Sequence, residues 1–212
     1  MHRAIATAMT AAFIALPGTS HALNTVIDFE GLQRGVQITN QLQEFGVLVS
    51  GIDTTGCCQP GKVLNHTLGD LGVFNFGGSG NQSLVYGIPG DQLNFDFVIP
   101  NTTTATVVQA VSLRVGDGDV ASEKFRVTFK GLSGDVLDVQ EFITGSGPVN
   151  GGATVSFRGG GIHRVEILGL VYHSGGAVDD LTITAVPEPE TYALMLAGLA
   201  CVAAAAKRRK AD

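Results

Sequence analysis

The chain has 212 residues, 29 of them glycine, no tryptophan, and a net charge of −6 with histidine neutral. Between its two unusual ends lie roughly 165 residues, the length of one domain with a core of its own; from Leu23 to Val186 eight Lys and Arg face sixteen Asp and Glu, a net of about −8 that argues against nucleic acid as a partner. Cys57 and Cys58 are adjacent and Cys201 lies far away, which excludes both a disulfide framework and a metal-ligand spacing.

Residues 1–22 read as a secretory signal peptide. His2 and Arg3 give a basic start, Ala4 to Leu16 is almost wholly apolar, and Pro17-Gly18 break the run. Ser20-His21-Ala22 then places small residues where a signal peptidase requires them, so cleavage is expected after Ala22. The apolar run is shorter than the roughly 20 residues of a spanning helix.

The body, 23–185, reads as a series of short strands. Apolar and polar residues alternate in Thr25–Glu30, and an apolar strand is expected over Phe45–Ser50, ended by Gly51. A short strand at Leu71–Phe76 precedes the Gly77-Gly78-Ser79-Gly80 loop. Leu93, Phe95, Phe97 and Ile99 alternate with polar or smaller partners until Pro100. The same period marks Val111–Val115 and Phe125–Phe129. Leu132-Ser133-Gly134-Asp135 reads as a hairpin turn into Val136–Ile143. Ala153–Arg158, Ile162–Leu168 and Val178–Thr184 complete about ten strands. Helix caps followed by a 3.6-residue stripe are missing. Evenly spaced short strands with one wet and one dry face predict an all-β, antiparallel, jelly-roll-like sandwich.

The tail, 186–212, has three parts: Val186-Pro187-Glu188-Pro189-Glu190, sixteen uncharged residues from Thr191 to Ala206, and the basic cluster Lys207-Arg208-Arg209-Lys210. A sixteen-residue helix spans about 24 Å at 1.5 Å per residue, short of a hydrocarbon core of about 30 Å. Snorkelling Lys and Arg and the interfacial Tyr192 would cover the deficit. The cluster 207–210 sets the C-terminus on the cytoplasmic side and the body outside.

This order of signal peptide, β-rich body, Pro-Glu-Pro, short apolar helix and basic end closely resembles the PEP-CTERM sorting signal of Gram-negative bacteria. The resemblance lies in Val186-Pro187-Glu188-Pro189 and in Tyr192 to Leu199. It implies recognition of Pro187, Glu188 and Pro189 by a membrane-embedded exosortase. Processing there would leave the helix only transiently in the inner membrane. It also implies delivery to the cell envelope or the extracellular matrix of a bacterium that makes exopolysaccharide and biofilm.

The body is weakly similar to carbohydrate-binding-module-like jelly rolls, through Asp28-Phe29-Glu30-Gly31-Leu32, Phe45-Gly46-Val47 and Asp179-Asp180-Leu181-Thr182-Ile183. In such modules the first and last strands lie together and Ca²⁺ can clip them. Asp28, Glu30, Asp179 and Asp180 supply the hard oxygens a calcium ion requires. Asp117 and Asp119 form a second pair, read as a tight acidic turn because the other ligands of an EF-hand are missing. Tyr86 and Tyr172, beside glycine-rich stretches, are the candidate stacking platforms for a matrix glycan, with core or rim packing the stronger expectation.

Catalytic signals are thin. His66, His163 and His173 are scattered, and neither a Gly-x-Ser-x-Gly elbow nor a His-Glu-x-x-His motif occurs. The expected role is therefore a non-enzymatic structural or binding one, with a lectin-like module as the first alternative and a secreted polysaccharide hydrolase as the second. The state of Cys57 and Cys58 stays open: vicinal disulfide, free thiols or pairing between chains.

Overall fold

The computed structural model describes residues 24–52, 61–65, 76–86, 91–118, 123–145, 147–170, 176–186 and 195–203. The chain divides into two units: Ala22–Val186, and the terminal segments Met1–His21 with Pro187–Asp212. The signal segment 1–22, Pro187 to Pro189 and Lys207 to Lys210 lie outside the described residues.

Ala22–Val186 is an antiparallel β-sandwich. Its strands are β1 (Asn24–Ile27), β2 (Val47–Ile52), β3 (Lys62–Asn65), β4 (Gln82–Tyr86), β5 (Gln92–Phe97), β6 (Val108–Gly116), β7 (Glu123–Lys130), β8 (Val136–Thr144), β9 (Gly152–Ile162), β10 (Arg164–Gly169) and β11 (Gly176–Ala185). One sheet has the order β3-β4-β11-β6-β9, with β1 also on β11; the other runs β2-β5-β10-β7-β8. Successive strands repeatedly change sheet, the habit of a jelly roll.

Period-2 alternation explains the packing. Phe125, Val127 and Phe129 of β7 turn inward, and so do Leu93, Phe95 and Phe97 of β5 and Leu113 and Val115 of β6; all are buried. These residues join Val155, Val165, Ile167, Val178 and Leu181 in one core between the sheets. Burying a side chain of this size contributes about 1.5–3 kcal/mol.

The predicted hairpin forms as read. Lys130 pairs with Val136, Gly131 donates to the Asp135 carbonyl at 2.9 Å, and Gly134 takes a φ of 86° that other residues avoid.

Two local expectations are corrected, a third falls almost wholly outside the described residues, and two strands were not anticipated. Phe45 does not open a strand: Gln43–Phe45 is a 3₁₀ turn closed by Gly46 at φ 76°, and β2 starts at Val47. A Cβ on Gly46 would run into the Val98 carbonyl, so the tight turn fits only glycine. The strand expected at 71–76 lies outside the described residues except Phe76, which is in a loop. Strands β3 and β4 were not anticipated, because Lys62–Asn65 and Gln82–Tyr86 are too short to show a period. Ile162–Leu168 is not continuous: Ile162 ends β9, His163 breaks the run, and β10 begins at Arg164.

In the tail, 195–203 is helical with mostly exposed side chains, and Cys201 is a free, exposed thiol. Among the described residues no helix is long and apolar enough to cross a membrane. The expected span over Thr191–Ala206 is thus not seen; the residues on either side of 195–203 lie outside the described set.

Candidate functional site

Residues of β1, the loop after it and the start of β11 converge. Strand β1 pairs antiparallel with the second half of β11, from Asn24 opposite Thr184 to Ile27 opposite Leu181, and the Thr184 hydroxyl donates to the Asn24 side chain at 2.7 Å. The register carries Asp28 and Glu30, which follow β1, toward Asp179 and Asp180, which lie at the irregularity of β11 between Asp179 and Thr182. Phe29 and Asp180 both take left-handed backbone, with φ of 60° and 51°. Such conformations in residues other than glycine are held by their surroundings and mark strained, functional places.

Three of the four carboxylates, those of Asp28, Glu30 and Asp179, accept from main-chain amides. Glu30 accepts from the Asn81 and Gln82 amides at 2.6 and 2.5 Å. The Gln82 side-chain amide returns a bond to the Glu30 carbonyl at 3.3 Å. Asp28 accepts from the Glu30 amide at 3.2 Å. Asp179 Oδ1 accepts from the Asp180 amide at 2.7 Å. The loop 76–81 closes over the group, and two of its glycines explain the fit. A Cβ on Gly78 would strike the Asp179 carboxyl, and one on Gly80 the Glu30 carboxyl.

Asp179 is fully buried, and its Oδ2 has no hydrogen-bond partner. Burial pushes its pKa up to about 8; the Asp180 amide opposes this, and the negative charges of Asp180, Glu30 and Asp28 reinforce it. None of the ion pairs among the described residues includes these four carboxylates. A buried carboxylate in this setting either keeps its proton or takes a cation. Among the described residues, Asp28, Glu30, Asp179 and Asp180 included, no three His, Cys, Asp or Glu side chains are grouped so as to hold a metal ion; a cation at Asp179 would take most of its shell from main-chain carbonyls or water.

The other candidates separate. Tyr86 ends β4 opposite Gly176, and Tyr172 lies outside the described residues, as do Asp119, His66, His173, Cys57 and Cys58. Asp117, read as part of a tight acidic turn, is buried directly after β6, its amide donating to the Gly151 carbonyl at 2.9 Å. His163 Nδ1 lies 2.9 Å from the Thr106 carbonyl.

Sequence reasoning missed the outer face of the five-stranded sheet. Register lines up Asp96, Arg164, Lys130 and Val136 in one cross-strand row, and Gln92, Leu168, Arg126 and Glu141 in another. Between them run Asn94, Glu166, Thr128 and Val139. Ion pairs lace the rows: Arg164 to Asp96 at 2.5 Å, Lys130 to Glu166 at 2.7 Å, and Lys124 and Arg126 both to Glu141 at 2.6 Å. Lys124 and Arg126 hold the Glu141 carboxyl below its ordinary pKa, and Asp96 raises that of Arg164. The alternating cations of β7 were the available signal.

The fold and tail together define an exported β-sandwich protein with a C-terminal sorting signal. Residues 185–210 match the family model of the PEP-CTERM protein-sorting motif. A chain carrying that motif is exported and associated with the envelope, and the motif implies processing by an exosortase. No curated protein matches the chain in sequence. Among solved structures it is similar to the K1 cleaved adhesin domain of Lys-gingipain from Porphyromonas gingivalis W83, at 15% identity over 77% of this chain and 99% of that one, TM-score 0.46. It is also similar to a family 35 carbohydrate binding module from Clostridium thermocellum, at 12% identity over 78% and 100%, TM-score 0.37. An arabinose-bound α-L-arabinofuranosidase is matched at 10% identity over 77% of this chain and 26% of that one, TM-score 0.44. Identities and scores this low carry neither a ligand nor an activity across.

Proposed function

We propose that this chain is a cell-surface or extracellular-matrix protein with a non-enzymatic, structural or binding role linked to exopolysaccharide. The match of residues 185–210 to the sorting motif carries the reading. Pro187, Glu188 and Pro189 are the residues an exosortase would recognise, and Lys207, Arg208, Arg209 and Lys210 hold the tail's cytoplasmic end until processing. The sandwich is then the working part, free of the helix.

Calcium is the ion proposed at Asp28, Glu30, Asp179 and Asp180. It would neutralise the carboxylates and tie the end of β1 to the start of β11. The support for a structural rather than a chemical role is that the unpaired Asp179 oxygen lies sealed beneath Gly78 instead of in an open cleft. A lectin-like module is the alternative reading, and a polysaccharide hydrolase the second.

Intact-mass analysis of the mature protein, made with and without the exosortase, tests the proposal. The expected mass lacks residues 1–22 and everything beyond the Pro187–Pro189 region. A wild-type mass that retains Lys207 to Lys210 in the presence of the enzyme would overturn tail processing.

A further inference from the structure

The eight Lys and Arg between Leu23 and Val186 are unevenly placed. Four of them, Lys124, Arg126, Lys130 and Arg164, stand on the outer face of the five-stranded sheet. Among the described residues, only three carboxylates, Asp96, Glu141 and Glu166, share that face. The remaining four cations of the body are set against thirteen Asp and Glu. Among the described residues, one face of an acidic protein is thus mildly basic, and a negatively charged partner would be steered toward it.

The cations are arranged in a line. Strand β7 alternates buried and part-exposed residues along its whole length, so its outward side shows Lys124, Arg126, Thr128 and Lys130 in succession with no carboxylate between them. Same-face residues two apart are about 6.6–6.8 Å from each other, which makes the line about 20 Å long. At one end Lys124 and Arg126 divide a single carboxylate, Glu141, at 2.6 Å each. That corner carries one uncompensated positive charge, and the side chains of Lys124 and Arg126 are 39% and 43% exposed. A flat, extended row of cations with a hydroxyl among them matches a linear polymer carrying spaced carboxylates and hydroxyls. Charge-assisted N–H to carboxylate bonds are about twice as strong as neutral ones. A neutral glycan would gain only the weaker hydrogen bonds to its hydroxyls from the row. Duplex DNA, with a charge about every 1.7 Å, meets too few cations to offset repulsion by the acidic body.

We propose that the outer face of strands β10, β7 and β8 docks a uronate-bearing polysaccharide, its carboxylates on Lys124, Arg126 and Lys130. This rests on the matrix-protein reading above and names its partner class.

The test is retention of the full mature protein on immobilised polygalacturonate, in chelator and at low salt, beside dextran and duplex DNA. Polygalacturonate should retain it, salt should release it, and Lys124→Gln with Arg126→Gln should weaken binding about tenfold. Lys130→Gln alone should weaken it less, and Arg158→Gln on β9 should leave it unchanged. Thermal melts of each variant report folding independently. No retention of wild type, equal retention of the double variant, or a preference for dextran or DNA would overturn the inference. A protein that is processed correctly yet ignores polygalacturonate sinks this inference alone. One that binds it while keeping Lys207 to Lys210 sinks the sorting reading alone.

Discussion

On the five-stranded sheet, Asp96, Glu141 and Glu166 each reach a Lys or Arg of a neighbouring strand. At Asp179 the negative charges of Asp180, Glu30 and Asp28 bear on one buried carboxyl, and none of the four is in an ion pair seen among the described residues. The first region compensates all but one of its positive charges from within, because antiparallel register sets opposite signs side by side at strand spacing. The second is made where a strand end, a β-bulge and a glycine loop meet, and there the balancing charge has to come from a proton or from solution. Exposed pairs of the first kind are worth little individually. A buried, unpaired carboxylate of the second kind dominates the response to pH and to cations.

The largest expected effect follows from Asp179. Its folded pKa, about 8, stands above the 3.8 of the free group, so the folded state holds a proton that the unfolded state gives up. The stabilisation is whole below about pH 4 and is lost as pH rises through about 8. In chelator the loss amounts to at most about 6 kcal/mol. Asp179→Asn should remove that slope and raise the alkaline melting temperature of the chelated protein. A wild-type protein whose stability is flat from pH 4 to 8 in chelator would break the comparison.

A smaller effect is expected where the loop closes. Gly78→Ala places a methyl against the Asp179 carboxyl and should cost about 1–3 kcal/mol in a denaturant melt. Gly131→Ala, whose Cβ meets only the solvent-exposed Asp135 side chain of the hairpin, should cost less. Equal losses would mean that the loop is not held over the carboxylates. The smallest effect belongs to the laced sheet: Asp96→Asn, which removes the partner of Arg164, should lower stability by about 1 kcal/mol and show little dependence on calcium.

Much of the sandwich was legible because its strands are half buried. Leu93, Phe95 and Phe97, or Phe125, Val127 and Phe129, announce one dry face by period alone. Strand β4 is invisible to that test because Gln82–Tyr86 covers barely two periods, and Phe45 misleads because a 3₁₀ turn also takes an aromatic. The four carboxylates were legible as two pairs, one near each end of the body. Their neighbours in space, Gly78 and Gly80, read only as part of a loop, since nothing local says that a glycine makes room for a carboxyl from fifty or a hundred residues away. The ion-paired face was hidden for a related reason: each of its cations is an ordinary outward residue until register places Glu141 beside Arg126.

Titration calorimetry of the chelator-treated mature protein with calcium chloride asks most directly whether the acidic cluster takes its balancing charge from solution. One binding event is expected, with proton release near pH 7 as Asp179 ionises, and Asp179→Asn should lose it. No heat and no shift in melting temperature up to millimolar calcium would contradict the account.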